Sequence, residues 1–298
     1  MPAGAGRASV LGAMKFICVD DGVPPETTNL LRSACQARKI PFITIDPRTF
    51  EFREESRLGG GDLLFRPAVS ILAQRVEQFL FGPGTATFYA APDDVYFATT
   101  NPMLLHERAG LPLPRNIPCH TKSRDALRSA VDRLGGFPVV VKVMGGSGGI
   151  GVMTATTLPA LFSLVDYLSN LGVTPYLMAY VDSAVHWRVV VVGDRAVAAY
   201  RNTPEPDDFR TYAGNALDDY FSEVRADLAD FAVRSVHAVH RETGGVDILE
   251  HPSGRLYLLE ANFPCYFPQA QLVAGIDIAG AMVDHLVAKS RALNEDEG

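Results

Sequence analysis

Phe137-Pro-Val-Val-Val-Lys-Val-Met-Gly-Gly-Ser-Gly-Gly-Ile-Gly-Val152 carries an apolar, β-branched run into a loop with five glycines, and one lysine, Lys142, stands at the join. Glycine lets backbone N–H groups approach an anion closely and adopt positive φ without steric cost. A lysine beside such a loop supplies the point charge that phosphate oxygens want. Lys142 with Gly146, Ser147, Gly148 and Gly149 therefore reads as a triphosphate site.

Three known motifs overlap this stretch. Gly146-Ser-Gly-Gly-Ile-Gly151 satisfies the dinucleotide fingerprint, but that fingerprint needs a helix directly after the loop. Here Val152 to Thr157 reads as a strand, and helical periodicity resumes only at Leu158. Gly145-Gly-Ser-Gly-Gly149 satisfies G-x-S-x-G, yet a nucleophile elbow also requires strand, sharp turn and helix. In protein kinases the lysine follows the glycine loop, whereas here it precedes it; no Walker A sequence occurs anywhere. Strand, lysine, glycine loop and strand remain: a β-hairpin flap over phosphates.

The second informative region is Gly245-Val-Asp-Ile-Leu-Glu-His-Pro-Ser-Gly-Arg-Leu-Tyr-Leu-Leu-Glu-Ala-Asn262. Two apolar runs flank His251-Pro-Ser-Gly254, a turn signal. A two-residue turn at Ser253 and Gly254 places Asp247 opposite Glu260, and Glu260 and Asn262 share a face. A bulge at Gly254 would shift that register by one. Facing carboxylates with Cβ atoms about 5 Å apart repel each other, and a divalent cation removes the repulsion. Two carboxylates and an amide oxygen form a hard-oxygen set suited to Mg²⁺. Together the two regions make one Mg·ATP site.

At 47% hydrophobic and 20% charged, the 298-residue chain can build a sizeable core. A net charge of −7 and dispersed arginines argue against a nucleic-acid partner. No apolar run of about 18 residues suggests a membrane span. Residues 1–13 make a poor signal peptide and read as a disordered extension. Cys18, Cys35, Cys119 and Cys265 are widely spaced, which fits reduced thiols in a cytoplasmic protein. His237 and His240 share a helix face without a third ligand, so packing or solvation is expected rather than zinc. Trp187 is expected in the core.

Residues 14–98 read as an α/β domain: strand 16–19, helix 27–38, and strands 42–45 and 62–65, giving a small parallel sheet with ligands at the strand ends. Arg66 at one such end is a candidate for a substrate carboxylate. Residues 99–180 form a central lobe with a helix over 158–171. Residues 181–290 hold the metal hairpin, a helix over 227–242 and a closing helix over 276–290; 291–298 are a tail.

The ordered motifs of residues 99–285 resemble the ATP-grasp superfamily, in particular the branch of the glutathione synthetases and RimK-type ligases. The matching pieces are Ala109-Gly-Leu-Pro-Leu-Pro114, Gly135 to Lys142 with its glycine loop, Arg188 to Asp194, Ala198 to Arg201, Asp208-Phe-Arg-Thr211, Val246-Asp-Ile-Leu249 and Leu258-Leu-Glu-Ala-Asn262. The resemblance implies an α/β (α+β) ATP-grasp fold of three lobes. It also implies a carboxylate–amine ligase, in which a substrate carboxylate attacks the γ-phosphate of ATP and an amine captures the acyl phosphate. By resemblance, Lys142 holds phosphates and Arg210 stabilises the transferring phosphoryl group. Arg188 and Arg201 are candidates for substrate carboxylate or phosphate. Asp247, Glu260 and Asn262 hold Mg²⁺, with Glu260 bridging two ions and Mn²⁺ as a substitute. Met178, Ala179, Tyr180 and Val181 fall where the hinge packs adenine.

The chain departs from the family pattern in four places. No lysine stands within Phe97 to Leu104, the hinge lacks its usual glutamate, Tyr212 replaces an asparagine, and Asn262-Phe-Pro-Cys-Tyr266 replaces N-x-S-P-G. The last two changes lie where the second substrate is expected. The expected substrate is a small amino-acid-like molecule, taken by a monomer or homodimer. Intramolecular ring closure, as in antibiotic (D-cycloserine-type) biosynthesis, and two-substrate dipeptide or amino-acid ligation are both open. A non-catalytic nucleotide-binding module is the reading from another class.

Overall fold

The computed structural model describes residues 14–97, 101–143, 149–204, 207–214 and 216–295. Its first sheet is parallel, as expected, in the order β2-β1-β3, with β1 Phe16–Val19, β2 Phe42–Ile45 and β3 Leu63–Phe65. Helix α1 (Pro25–Ala37) covers one face and α2 (Ile71–Leu80) the other. Every residue of β1 is buried, because helices cover the sheet on both sides.

After α3 (Pro102–Arg108) comes a four-stranded antiparallel sheet in the order β4-β7-β5-β6. Its strands are β4 Asn116–Pro118, β5 Val139–Lys142, β6 Val152–Ala155 and β7 Tyr176–Ala179. Helices α4 (Arg124–Leu134) and α5 (Leu158–Asn170) pack on one face around Val139, Val141, Leu161, Val165 and Leu177. Burial alternates along β5, so Val139 and Val141 enter that core and Lys142 points the other way. Lys142 pairs with Val152 across an antiparallel hairpin, which is the flap expected from the sequence. Residues 144–148 of the glycine loop, including Gly146, Ser147 and Gly148, lie outside the described residues.

The largest sheet runs β10-β9-β8-β12-β13, with β11 also on β9. Its strands are β8 Val185–Val192, β9 Arg195–Pro204, β10 Thr211–Ala213, β11 Tyr220–Phe221, β12 Thr243–Glu250 and β13 Leu256–Asn262. One face packs on α6 (Ala226–His237) through Val189, Val191, Val246, Ile248 and Leu258. The other face shares a core with α1, α7 (Pro268–Ala274), α8 (Ile278–Glu295) and the first sheet. That shared core docks the N-terminal strands onto the sheet that carries the site.

Several boundaries differ from expectation. The helix expected to reach 242 ends at His237, because His240 turns into the left-handed region and the chain reverses into β12. The closing helix runs to Glu295. Asp277 caps its start by accepting from the Gly280 N–H at 2.9 Å, and Asn294 reaches the Gly84 carbonyl at 3.4 Å instead of joining a solvated tail. His237 lies 3.3 Å from the Gly193 carbonyl and His240 pairs with Asp94 at 3.5 Å. Trp187 packs against the α6 core and donates to Glu250 at 2.8 Å. Cysteines 18, 35, 119 and 265 are all free.

Candidate active site

The hairpin of β12 and β13 does place Asp247 opposite Glu260, by a route the two-residue turn did not foresee. The turn is longer: Glu250 pairs with Leu256, and the His251 N–H donates to the Arg255 carbonyl at 2.9 Å. That register alone would put Leu259 opposite Asp247. A bulge between Ile248 and Asp247 leaves Leu259 unpaired and restores the Asp247–Glu260 pair. Asn262 follows opposite Gly245. The Asn262 amide donates to Asp247 Oδ2 at 3.1 Å and to Glu260 Oε1 at 3.0 Å, so the three side chains form one cluster.

Lys142 meets this cluster from the flap sheet. Its ammonium lies 2.5 Å from Glu260 Oε2. A cation and an amide N–H thus offset charge that two carboxylates would otherwise hold unscreened. The donor set is all hard oxygen once the amide turns, and it fits Mg²⁺.

Across the sheet, Glu260, Asp247, Arg188 and Tyr200 stand opposite one another on β13, β12, β8 and β9, which puts them on one face. Arg188 Nε is 3.3 Å from Asp247 Oδ1, and Nη1 donates to the Gly245 carbonyl at 3.1 Å. A Cβ on Gly245 would lie 2.7 Å from that Nη1, so glycine makes room for the guanidinium. Burial alone would raise the Asp247 carboxyl, but Arg188 and His186 outweigh it and hold the group below its usual value. The buried Nε of Arg188 has no hydrogen-bond acceptor among the described residues.

The sequence reading missed His186. Its Nε2 lies 3.1 Å from Asp247 Oδ1, and its Nδ1 meets Thr211 Oγ1. Only its place two residues before Arg188, on the same strand face, could have signalled it.

Arg210 sits beside the flap. It forms a two-pronged pair with Asp208, with Nη2 to Oδ2 at 2.8 Å and Nε to both oxygens at 3.0 Å, and Nη1 donates to the Gly149 carbonyl at 3.3 Å. Those bonds hold the Asp208 carboxyl down at about 2. Tyr212, the residue in place of the family's asparagine, donates to Asp208 at 3.3 Å and braces the pair.

Two expected arginines are not brought to the cluster. Arg201 pairs with Trp187 in register, on the opposite sheet face from Arg188. There it binds Asp219 at 2.9 Å and lies over the Phe221 ring. Arg66 is buried and bound to Glu77 at 2.7 Å, so it has no free charge to offer a substrate carboxylate. At the hinge, Met178 is buried between Asn116 and Val140, and the Ala179 N–H is taken by the Arg115 carbonyl at 2.8 Å. Tyr180 and Val181 follow as the strand leaves the sheet. In the altered ending, Cys265 lies against Gly245 and burial pushes its thiol up to about 11, while Tyr266 donates to Glu26 of α1 at 2.8 Å.

Residues 102–286 match the RimK-like ATP-grasp domain. A ribosomal protein bS6–L-glutamate ligase of Escherichia coli O1:K1 is 32% identical over 185 residues, 61% of this chain and 60% of that protein. The match therefore spans about three fifths of the relative's length. In structure, D-cycloserine synthetase DcsG aligns with a TM-score of 0.70 at 16% identity, covering 93% of this chain and 99% of that one. The ATP-grasp ligase PsnB, solved with minimal precursor, Mg and ADP, aligns at 0.69 and 18%, covering 92% and 97%. D-alanine–D-alanine ligase from Bacillus anthracis aligns at 0.63 and 17%, covering 96% and 100%. These likenesses show the ATP-grasp fold. With its matching region spanning more than half of the molecule, the chain belongs to the RimK-like ATP-grasp family.

Proposed function

We propose that this protein is an ATP-dependent carboxylate–amine ligase that forms an amide through an acyl phosphate. The observation that carries the reading is the meeting of Lys142 with the Asp247–Glu260–Asn262 cluster across two separate sheets. A simple nucleotide binder has no need of two aligned carboxylates and an amide at one point.

In this reading a carboxylate oxygen of the substrate attacks the γ-phosphorus of ATP, and the bond to the β-bridging oxygen breaks, releasing ADP. The amine nitrogen then attacks the acyl carbon, loses a proton to solvent or base, and phosphate leaves with the bonding pair. Asp247, Glu260 and Asn262 would hold Mg²⁺, which neutralises charge on the phosphate oxygens. Glu260 would also serve a second such ion, and Mn²⁺ would suit the same oxygens. Lys142 exchanges its Glu260 contact for phosphate oxygens. Arg210, at the flap, faces charge developing on the transferred group. Arg188, paired with Asp247 through its Nε, stands on the same sheet face for a substrate carboxylate or phosphate. Met178 to Val181 supply the adenine wall.

Phosphate release from Mg·ATP, measured against amino acids and their derivatives singly and in pairs, tests the reading. Release with one compound alone indicates ring closure or self-condensation, and product mass separates the two. Release only with pairs indicates a two-substrate ligase. Glu260→Ala should abolish turnover while ADP binding falls less. Near-normal turnover in that variant overturns the metal assignment.

A further inference from the structure

A polar cavity of about 260 Å³ lies between the N-terminal sheet's helix α2 and the edge strand β13. Arg66, Glu77 and Tyr89 line one side; Arg241, Ala261 and Phe263 line the other. Ala261 and Phe263 flank Asn262 in the chain, so the cavity adjoins the carboxylate cluster on the opposite face of its strand.

Its charges do not balance. The Glu77 carboxylate is already committed: Oε2 accepts from Arg66 Nε at 2.7 Å and from the Tyr89 hydroxyl at 2.8 Å. Arg66 also donates to the Ala68 carbonyl. Arg241, by contrast, makes no ion pair among the described residues. Its guanidinium stacks over Tyr89 at 4.4 Å and near Phe263 at 5.3 Å, and donates only to the carbonyls of His240 at 2.9 Å and Phe97 at 3.5 Å. Burial lowers its pKa by more than Tyr89, Asp94 and Glu77 raise it. Among the residues lining the cavity two guanidiniums face one carboxylate, leaving one surplus positive charge in partly apolar surroundings, where an unmatched charge is costly.

We propose that this cavity binds a carboxylate of a small molecule, with Arg241 as its anchor. The surplus of one charge matches a carboxylate monoanion; a phosphate dianion would replace it with an excess of the opposite sign. A planar guanidinium suits a carboxylate's two oxygens. The volume is just under the range of about 300–1,000 Å³ usual for drug-sized ligands, which limits the guest to roughly amino-acid size. The cavity lies on the strand face away from the carboxylate cluster, so the anchored carboxylate is not the one activated by ATP in the ligase reading above.

The test is calorimetric titration with glutarate and with its uncharged diamide, glutaramide, on the full chain and on Arg241→Met and Arg241→Lys. Glutarate should bind the unaltered protein, weaken by at least about tenfold in Arg241→Met, and recover partly in Arg241→Lys. Glutaramide should bind weakly to all three. Equal Mg·ADP affinity in all three shows that the fold is intact; if Arg241→Met fails this, Arg241→Gln takes its place. Equal glutarate affinity in the charge-free variant overturns the proposal. So does an unaltered protein that treats glutarate and glutaramide alike, including one that binds neither. Phosphate release from Mg·ATP is scored separately. Its absence beside Arg241-dependent glutarate binding refutes the ligase reading and leaves the pocket. The reverse pattern refutes the pocket alone.

Discussion

Asp247 is the most constrained side chain of the site, since it is buried and shares Arg188, His186 and Asn262. Removing Arg188 leaves a buried carboxylate without its main counter-charge. Arg188→Met should therefore destabilise the fold by about 3–5 kcal/mol, read from chemical denaturation; a loss under about 1 kcal/mol would show that Asp247 is adequately solvated without it. The thiols give a second check. Burial pushes Cys35 and Cys265 up to about 11 and raises Cys18 and Cys119 as well. At pH 8 all four should resist iodoacetamide in the native protein and react once it is unfolded, as followed by mass spectrometry. Lys142 was legible because it ends its strand beside a glycine loop, and Asp247, Glu260 and Asn262 because one turn signal joins the two apolar runs that carry them. His186 was not, because Thr211 and Asp247, its partners, lie 25 and 61 residues away. Arg201 shows the opposite failure: the family resemblance suggested a role shared with Arg188, but strand parity turned it to the other face.

At the scale of elements, the hairpin that carries the carboxylate cluster depends on one extra residue. The five-residue turn and the Leu259 bulge offset each other, and their sum keeps Glu260 opposite Asp247. Deleting Leu259 removes the bulge yet keeps that pair, so Mg·ADP binding should stay close to that of the unaltered chain. Deleting Ala261 instead sends Asn262 to the α6 face, and binding should collapse. Equal behaviour of the two deletions, by calorimetry, would contradict the register argument. The flap hairpin and the parallel strands were readable from apolar runs and turn residues. The bulge was not, since Leu258-Leu259 gives no sign of which leucine is paired.

Across the whole molecule, charged contacts join parts that no local pattern connects. Lys142 ties the flap sheet to the carboxylate cluster, and Glu242 ties β12's entry to α8 through His285 at 3.0 Å and Lys289 at 2.7 Å. Burial would raise the Glu242 carboxyl, but the bonds from His285 and Lys289 prevail and lower it. Asp247 is lowered too. A lowered folded-state value contributes stability above the ordinary carboxylate range, and that stability is lost as pH falls through the folded value. The melting temperature should hold from pH 7 to about 5 and fall steeply below about 4; a flat profile to pH 3 would show that neither carboxylate matters to folding. The central claim is acyl-phosphate chemistry at the junction of flap and metal hairpin. Its most direct measurement uses a turning-over substrate whose carboxylate carries oxygen-18. Mass spectrometry of the products should find one heavy oxygen in the released phosphate and ADP as the nucleotide. Heavy oxygen in AMP, with pyrophosphate released, would contradict it.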